Sequence, residues 1–293
     1  MDTDYNGPIL VAVDGSTPSE AALWWGYRHA KATGRRLRVI LVHGHPQGAY
    51  GIPNEPVWPW PVILTADVQD LKKSEANLEK LVRATLDDDA EFEAVVRFGD
   101  AANAILDEVS DCDASILVMG RRGLGGFTSL LLGSVSDQCA GHSKCPVVVT
   151  PADASEYNGP IVVGVDGSEG SNEALLWAAD LAGSTGQSLL LVTSWDVSPQ
   201  AYSYEMLTKD LENAVAQDIE DAKKLLASKA PDVAVDSVIL HGNAAQELTE
   251  IAAARKASLL VVGSRGYGGF RSLVLGSVSR QTLHHATTPV VVV

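Results

Sequence analysis

The chain has 293 residues, of which 46% are hydrophobic and 20% charged, which is enough for two ordinary domains with packed cores. Its formal net charge of −15 argues against nucleic acid or an anionic membrane as a partner. No apolar run reaches transmembrane length, and the polar first residues give no secretory signal, so we expect a cytoplasmic protein. Three cysteines without a CxxC pair, Cys112, Cys139 and Cys145, are expected to be free thiols.

Short apolar runs alternate with helical patterns along the chain. In the first half, strands are predicted near 8–13, 38–43, 94–98, 115–119 and 146–150, and helices near 18–33, 66–86, 101–110 and 131–142. In the second half, strands are predicted near 160–165, 189–193, 236–241, 258–262 and 289–293. Strands that are apolar throughout and separated by helices favour a parallel sheet covered on both faces. Each half is therefore predicted to be an α/β domain with a doubly wound, five-stranded parallel sheet in the order 3-2-1-4-5.

The two halves are copies of one domain. Residues Ser115 to Val135 align with Ser258 to Val278 without a gap, and 15 of these 21 positions are identical. A repeat that spans about half of the chain indicates duplicated whole domains and excludes a solenoid of short repeats. We place the domains at 1–152 and 153–293, joined by a short polar link.

Each half carries one spaced glycine signature, G-x2-G-x9-G-S, between a predicted strand and a predicted helix. Glycines leave the backbone bare, so its N–H groups can approach an anion closely. The final Gly-Ser pair lies where the helix begins, beside its free N–H groups and the positive end of its dipole. The pattern predicts a phosphate cradle, with a plain glycine-rich turn as the alternative. The cradle residues are Gly120, Gly123, Gly133, Ser134, Gly263, Gly266, Gly276 and Ser277.

Two further residue types recur in the same places in both halves. Asp14 and Asp166 end the first strands, where a carboxylate can accept hydrogen bonds from a ribose. The alternative is that each caps the following helix, although a serine two residues later is better placed to do so. The first and fourth strands are neighbours where the strand order reverses, so the aspartates and the glycine signatures are expected to meet there. Arg122 and Arg265 either pair with a phosphate or lie in solvent.

The terminal Asp of the first strand, the glycine signature and a closing Pro-Val-Val-Val strand each occur twice, in the same order. Together they resemble the universal stress protein family in its tandem two-domain form, over about residues 5–293. The resemblance implies a Rossmann-like fold similar to that of the adenine nucleotide alpha hydrolases. Because members with this glycine signature look like ATP binders, it also implies ATP in both halves. Mg²⁺ would accompany ATP through water and phosphate oxygens.

The resemblance further implies that adenine contacts backbone groups just after the second strand. We expect these to be Gly44 and Ser194. This alignment sets His43 against Thr193, so an essential histidine is not expected. The alternation of His43 and His45 could suggest a metal site, but no third ligand stands out in the sequence. Trp58 and Trp60 either cover the first adenine or pack against their own domain.

The residues that recur in both halves supply binding groups but no evident catalytic base. The sequence has no P-loop with its phosphate lysine, no G-x-S-x-G elbow and no Ser/His/Asp order repeated in both halves. We therefore predict no catalytic residue and no metal ligand. The favoured function is a regulator of stress adaptation that binds ATP. A slow ATPase or a nucleotide hydrolase on the same fold is the alternative, and a scaffold with structural ATP is a third possibility.

The closing strands, which begin at Pro146 and Pro289, are predicted to pair with each other. In the order 3-2-1-4-5 the fifth strand lies at an edge, and a proline at its start suits that place. An edge this apolar would invite aggregation unless it is covered. We expect the two domains to form an intramolecular pseudo-dimer, and single-domain members of the family look like dimers of the same kind. A homodimer of the full chain stays open, and no protein partner is indicated.

Overall fold

The computed structural model describes residues 7–44, 71–87, 89–123, 132–152, 158–196, 205–266 and 275–293. The chain divides into two compact units, Met1–Asp153 and Ala154–Val293. Helices and strands alternate in both units, which confirms the predicted fold class. The predictions for His45, Trp58 and Trp60 lie outside the described residues.

The described residues of the first unit form five strands and four helices. The strands are β1 (Ile9–Val13), β2 (Leu37–His43), β3 (Phe92–Phe98), β4 (Ile116–Gly120) and β5 (Val147–Thr150), and the helices are α1 (Thr17–Thr33), α2 (Leu71–Thr85), α3 (Ala101–Asp111) and α4 (Ser134–His142). Neighbouring strands pair in parallel in the order β3-β2-β1-β4-β5. This is the predicted order, and it places the carboxyl ends of β1 and β4 side by side where the order reverses.

The second unit repeats this arrangement. Its strands are β6 (Ile161–Gly164), β7 (Leu189–Trp195), β8 (Val235–His241), β9 (Leu259–Val262) and β10 (Val290–Val292), and its helices are α5 (Glu169–Thr185), α6 (Glu205–Lys229), α7 (Ala244–Ala254) and α8 (Ser277–His285). The strands pair in parallel in the order β8-β7-β6-β9-β10. The ends of β6 and β9 therefore match those of β1 and β4.

The central strands are buried on both faces, which explains why they read as continuous apolar runs. Ile9, Leu10 and Val11 of β1 have no exposed surface, and neither has Ile161 of β6. Helices on both sides of a parallel sheet remove every side chain of such a strand from water. Full burial of one aliphatic side chain contributes about 1.5–3 kcal/mol, so these strands anchor the site that lies at their ends.

The helix that follows the first strand has the same boundaries in both units. α1 begins at the N-cap Ser16 and ends at Gly34, and α5 begins at the N-cap Ser168 and ends at Gly186. Both glycines adopt left-handed conformations, with φ of 67° and 69°, which suit the end of a helix. The serines accept hydrogen bonds from backbone N–H groups three residues later, so they cap the helices and the preceding aspartates do not.

The three cysteines are free, as predicted, and all lie in the first unit. Cys112 is partly exposed, whereas Cys139 and Cys145 are buried. Burial raises the pKa of Cys139 to about 12 and that of Cys145 to about 11, so both stay as inert thiols at neutral pH. In the described part of the chain, no helix combines the length and hydrophobicity that crossing a membrane requires.

Candidate functional site

The carboxylate at the end of the first strand is held by the start of the following helix. In the first unit, Asp14 Oδ1 accepts hydrogen bonds from the backbone N (3.0 Å) and the Oγ (2.7 Å) of Ser16. In the second unit, Asp166 Oδ1 accepts the same two bonds from Ser168 at 3.0 and 2.6 Å. Each aspartate is therefore fixed in place by the residue that caps the helix. A fixed carboxylate at this position can accept hydrogen bonds from a hydroxyl-bearing ligand.

The second glycine of each signature lies directly against this carboxylate. A Cβ atom on Gly123 would overlap Asp14 Oδ2, and a Cβ atom on Gly266 would overlap Asp166 Oδ2. No side chain fits there unless the carboxylate moves. The structure thus brings the signature and the strand-end aspartate together in both units, at the place where the strand order reverses.

The first glycine of each signature lets a helix rest on the end of a strand. A Cβ atom on Gly120 would come within 2.6 Å of the backbone carbon of Pro18 and 2.8 Å of Ser19 N. A Cβ atom on Gly263 would come within 2.7 Å of the backbone of Gly170. These glycines are explained by the packing of α1 on β4 and of α5 on β9. They shape the site by setting how closely the first helix approaches the glycine loop.

The helices that follow the signatures begin without a side-chain cap. The N-cap residues of α4 and α8 are Gly133 and Gly276, which have no side-chain acceptor, whereas α1, α3, α5 and α7 all have a side-chain cap. Ser134 and Ser277 are the first residues of these two helices and are exposed. The first N–H groups of a helix need acceptors and carry partial positive charge. Such a helix start can bind a phosphate group.

Two serines that sequence analysis did not single out hold these helix starts in place. Ser136 Oγ donates to the carbonyl oxygen of Gly120 at 2.9 Å, and Ser279 Oγ donates to that of Gly263 at 2.6 Å. Both hydroxyls therefore tie the helix to the end of the fourth strand of its unit. The signal was present, because a serine recurs two residues after the signature serine in both halves.

The signature arginines lie beside the aspartates in the glycine loops. The carbonyl oxygen of Arg122 shares the hydroxyl proton of Ser16 with Asp14 and accepts the longer branch, at 3.2 Å, which brings the loop to the start of α1. The Arg122 side chain is half-buried and that of Arg265 is exposed. Within the described ranges neither guanidinium forms an ion pair. Pairing with a phosphate and exposure to solvent are both compatible with these positions.

Strand register corrects the predicted alignment of the second strands. The first residue of β2 pairs with Ile9 and the first residue of β7 pairs with Ile161, so the two strands correspond without a gap. His43 therefore matches Trp195, and the predicted match with Thr193 is wrong. The chain-length difference between the halves falls after these strands. β7 runs two residues further than the predicted strand, which ends at residue 193.

The same register moves the second-half candidate for the adenine contact from Ser194 to Asp196. Ser194 lies inside β7, where it pairs with β8, whereas Gly44 and Asp196 are the exposed residues that directly follow β2 and β7. The carbonyl oxygen of the last residue in each of these strands accepts a hydrogen bond from the backbone N of the residue that follows the third strand, at 3.0 Å in both units. Because backbone groups alternate along a strand, a continuation of each strand by one residue would direct the backbone groups of Gly44 and Asp196 toward the first strand and its aspartate.

Aromatic pairs occupy the ends of the second and third strands, where a metal was considered and not predicted. The rings of His43 and Phe98 lie 5.4 Å apart, and burial lowers the pKa of His43. The matching rings of Trp195 and His241 lie 4.5 Å apart. Among the described residues, no group of three or more His, Cys, Asp or Glu side chains could hold a metal ion. Both histidines thus take part in ring contacts at these strand ends.

The sequence matches one known family along nearly its whole length. A profile of the Universal stress protein family matches residues 6–151 and 158–293. A universal stress protein of Mycolicibacterium smegmatis is 30% identical over 312 residues, which cover 99% of this chain and 97% of that protein. A universal stress protein of Mycobacterium tuberculosis is 29% identical over 300 residues, which cover 97% of this chain and 96% of that protein.

Solved structures show the same fold. The crystal structure of a universal stress protein from Archaeoglobus fulgidus aligns with a TM-score of 0.65 at 20% identity, and the alignment covers 99% of this chain and 98% of that chain. A similar alignment, with a TM-score of 0.67 at 15% identity, is found for a protein of Pseudomonas aeruginosa whose function is described as unknown. On the strength of the two profile matches, the chain belongs to the universal stress protein family, with one family domain in each half.

Proposed function

We propose that this chain is a cytoplasmic regulator of stress adaptation whose two halves each bind ATP. Its family supports a role in stress adaptation. The observation that carries ATP binding is the pair of helix starts without a side-chain cap, each beside a fixed aspartate. An anion acceptor and a hydroxyl acceptor in one crevice are what a nucleotide requires.

The phosphates of ATP are assigned to the glycine loops. Their oxygens would accept hydrogen bonds from the first N–H groups of α4 and α8, which have no side-chain acceptor of their own. The exposed hydroxyls of Ser134 and Ser277 can donate to the same phosphates. Arg122 and Arg265 are close enough in sequence to add positive charge there. Mg²⁺ would arrive with the phosphates and be held chiefly by their oxygens and by water.

The ribose and the base are assigned to the ends of the first and second strands. The carboxylates of Asp14 and Asp166 would accept hydrogen bonds from the ribose hydroxyls. The backbone groups of Gly44 and Asp196, which directly follow the second strands, would contact the adenine. A side chain on Gly123 or Gly266 would displace the carboxylate. A glycine at this position is therefore required for the ribose contact as well as for the phosphate contact.

The identity of the ligand is tested by mass spectrometry of the nucleotide that the purified, denatured protein releases. ATP or its hydrolysis product should be found in an amount approaching two per chain. Tight retention of a nucleotide without adenine would contradict the proposal. A phosphate-release assay addresses the alternative, because a regulator should hydrolyse ATP far more slowly than the ~1–100 s⁻¹ typical of kinases.

The two domains are also proposed to pair through their closing strands. The basis is the apolar, uncharged character of β5 and β10, each preceded by a proline. Residues 1–152, expressed alone, should then self-associate, because a second copy can take the place of the missing domain. A half-protein that stays monomeric at high concentration would contradict this pairing.

A further inference from the structure

Helix α6 carries a carboxylate, Asp218, on the face that packs against the sheet. Ala222 and Leu226 follow at four-residue steps on the same face and are only 2% and 1% exposed. Asp218 itself is half-buried, and α6 packs against β7 and α5. The helix runs antiparallel to the strands. Asp218 precedes Leu226 by eight residues, so it lies about 12 Å closer to the carboxyl end of the sheet. Asp218 therefore lies on the site side of the helix.

Asp218 lies near enough to Asp166, the carboxylate that follows β6, for the two negative charges to interact. Burial, and after it the negative charges of Asp166 and Asp221, raise the pKa of Asp218. Asp221 is exposed and is bonded to Lys224 at 2.8 Å, so its charge is partly neutralised. No ion pair or hydrogen bond within the described ranges holds the Asp218 carboxylate. The second site thus contains an additional negative charge near Asp166.

The first unit has a neutral residue at the matching position. In α2 the stripe that faces the sheet contains Leu78 and Val82, which are 0% and 1% exposed, and Ser74 precedes them by one turn with 2% exposed. Matching Leu78 with Ala222 also matches Val82 with Leu226, so two buried positions of each helix coincide. Ser74 then matches Asp218, and the two sites differ by one charge at this place.

We infer that Asp218 makes the second site reject nucleotides with a phosphate on the 2′- or 3′-oxygen of the ribose more strongly than the first site does. The inference rests on the proposed function, in which Asp166 accepts hydrogen bonds from the ribose hydroxyls. A free diol donates to carboxylates, whereas a phosphate on either oxygen removes a donor and adds negative charge. Two carboxylates in a partly buried place repel that charge more than one does.

The test uses the full chain and two nucleotides that differ only by the 3′-phosphate. AMP and adenosine 3′,5′-bisphosphate are each titrated against bound ATP by displacement calorimetry, for the wild type and for Asp218→Ser and Asp218→Asn. In the wild type, one of the two sites should bind the bisphosphate more weakly relative to AMP than the other site does. Both variants should raise the bisphosphate affinity of that site about tenfold, with AMP affinity nearly unchanged. The matched change, Ser74→Asp, should introduce the same discrimination into the other site.

The outcomes separate this inference from the proposed function. Equal gains for AMP and the bisphosphate in both Asp218 variants would overturn the inference, because Asp218 would then act on any anion. A change confined to the Mg²⁺ dependence of ATP binding would also overturn it and would make Asp218 a cation ligand. Failure of the wild type to bind ATP or AMP would contradict the proposed function itself. If Ser74→Asp lowers the helical circular dichroism, the two Asp218 variants alone decide the result.

Discussion

The two halves agree closely in the hydrogen bonds of the candidate site. The bonds from serine to the strand-end aspartate measure 3.0 and 2.7 Å in the first half and 3.0 and 2.6 Å in the second. In the first turn of each uncapped helix, a serine hydroxyl (Ser136 or Ser279) donates to the carbonyl oxygen of the first signature glycine, at 2.9 and 2.6 Å. The glycine against the aspartate has no room for a side chain in either half.

Away from the site, the packing of the two halves differs in chemical kind. Glu108 on α3 is fully buried and pairs with Arg38 of β2 at 2.6 Å and with Arg97 of β3 at 2.5 Å. The positions that match these three in the second half, by strand register and helix position, are apolar: Leu190, Leu240 and Ile251. Charged residues in the first half and apolar residues at the matching positions in the second half thus support the same fold. The two halves therefore share the geometry of the proposed anion site but differ in the residues that pack the third helix of each unit against the sheet.

The largest expected effect comes from breaking one site at a time. Gly123→Val should reduce the ATP content of the purified chain by about half, and Gly266→Val should do the same, because the new side chain would displace the aspartate carboxylate. Bound nucleotide is measured by chromatography after denaturation. Gly183→Ala is the matched control, since its Cβ would meet no atom closer than 4.0 Å. A double variant, Gly123→Val with Gly266→Val, that keeps its full ATP content would show that the glycine loops do not bind the nucleotide.

A smaller effect is expected from exchanging the packing between the halves. Glu108→Ala leaves Arg97 without its carboxylate and Arg38 with Glu93 alone, so it should destabilise the first unit by up to about 3–5 kcal/mol. The combined change of Arg38→Leu, Arg97→Leu and Glu108→Ile copies the second unit and should recover most of that loss. Peptide-resolved hydrogen exchange reports the two units separately. If the single and the combined variants were equally unstable, the two clusters would not be interchangeable.

The smallest effect concerns the response of the first unit to acid. His29 is 7% exposed and stacks on Trp25, and burial together with the nearby Arg35 lowers its pKa to about 4. The unfolded chain takes up a proton near pH 6.5 and the folded chain only near 4, so stability falls as the pH drops through this window. The loss amounts to at most about 3–4 kcal/mol.

The second unit has Leu181 at the matching position, so His29→Leu serves as the test of this pH response. Urea unfolding of the first unit, followed by hydrogen exchange between pH 7 and 4, should lose part of its pH dependence in the variant. Identical pH profiles for the wild type and His29→Leu would contradict the assignment. Other acidic groups also titrate in this window, but they contribute equally to both proteins and cancel in the comparison.

Much of the fold could be predicted because the apolar runs of the strands and the duplicated motifs point to the same topology. The register of the second strand was missed because β7 continues through Thr193, Ser194 and Trp195, where the apolar pattern has already ended. Hydrophobicity ends a predicted strand at its last apolar residue, whereas hydrogen bonds to β8 extend the real one. The start of α4 was placed three residues early for a related reason, since Gly133 takes an extended conformation with ψ of 149°.

Charged and hydroxyl groups were the hardest part of the site to predict. A sequence shows Glu108 as one more acidic residue, and its burial follows only once arginines from two strands converge on it. The hydroxyl of Ser136 acts on the carbonyl of a residue 16 positions earlier, a contact that exists only in the folded chain. Asp14 and Asp166 were predictable because they end apolar strands and recur in both halves.

The most direct test of the account is titration calorimetry of the nucleotide-free full chain with ATP. Because both halves hold the same fixed aspartate, glycine loop and uncapped helix start, the stoichiometry should approach two per chain. The two sites are free to differ in affinity, since Asp218 and Ser74 occupy matching positions. A stoichiometry of one would contradict the claim that each half binds ATP, and an absence of heat with ATP alongside tight binding of a nucleotide without adenine would contradict ATP binding altogether.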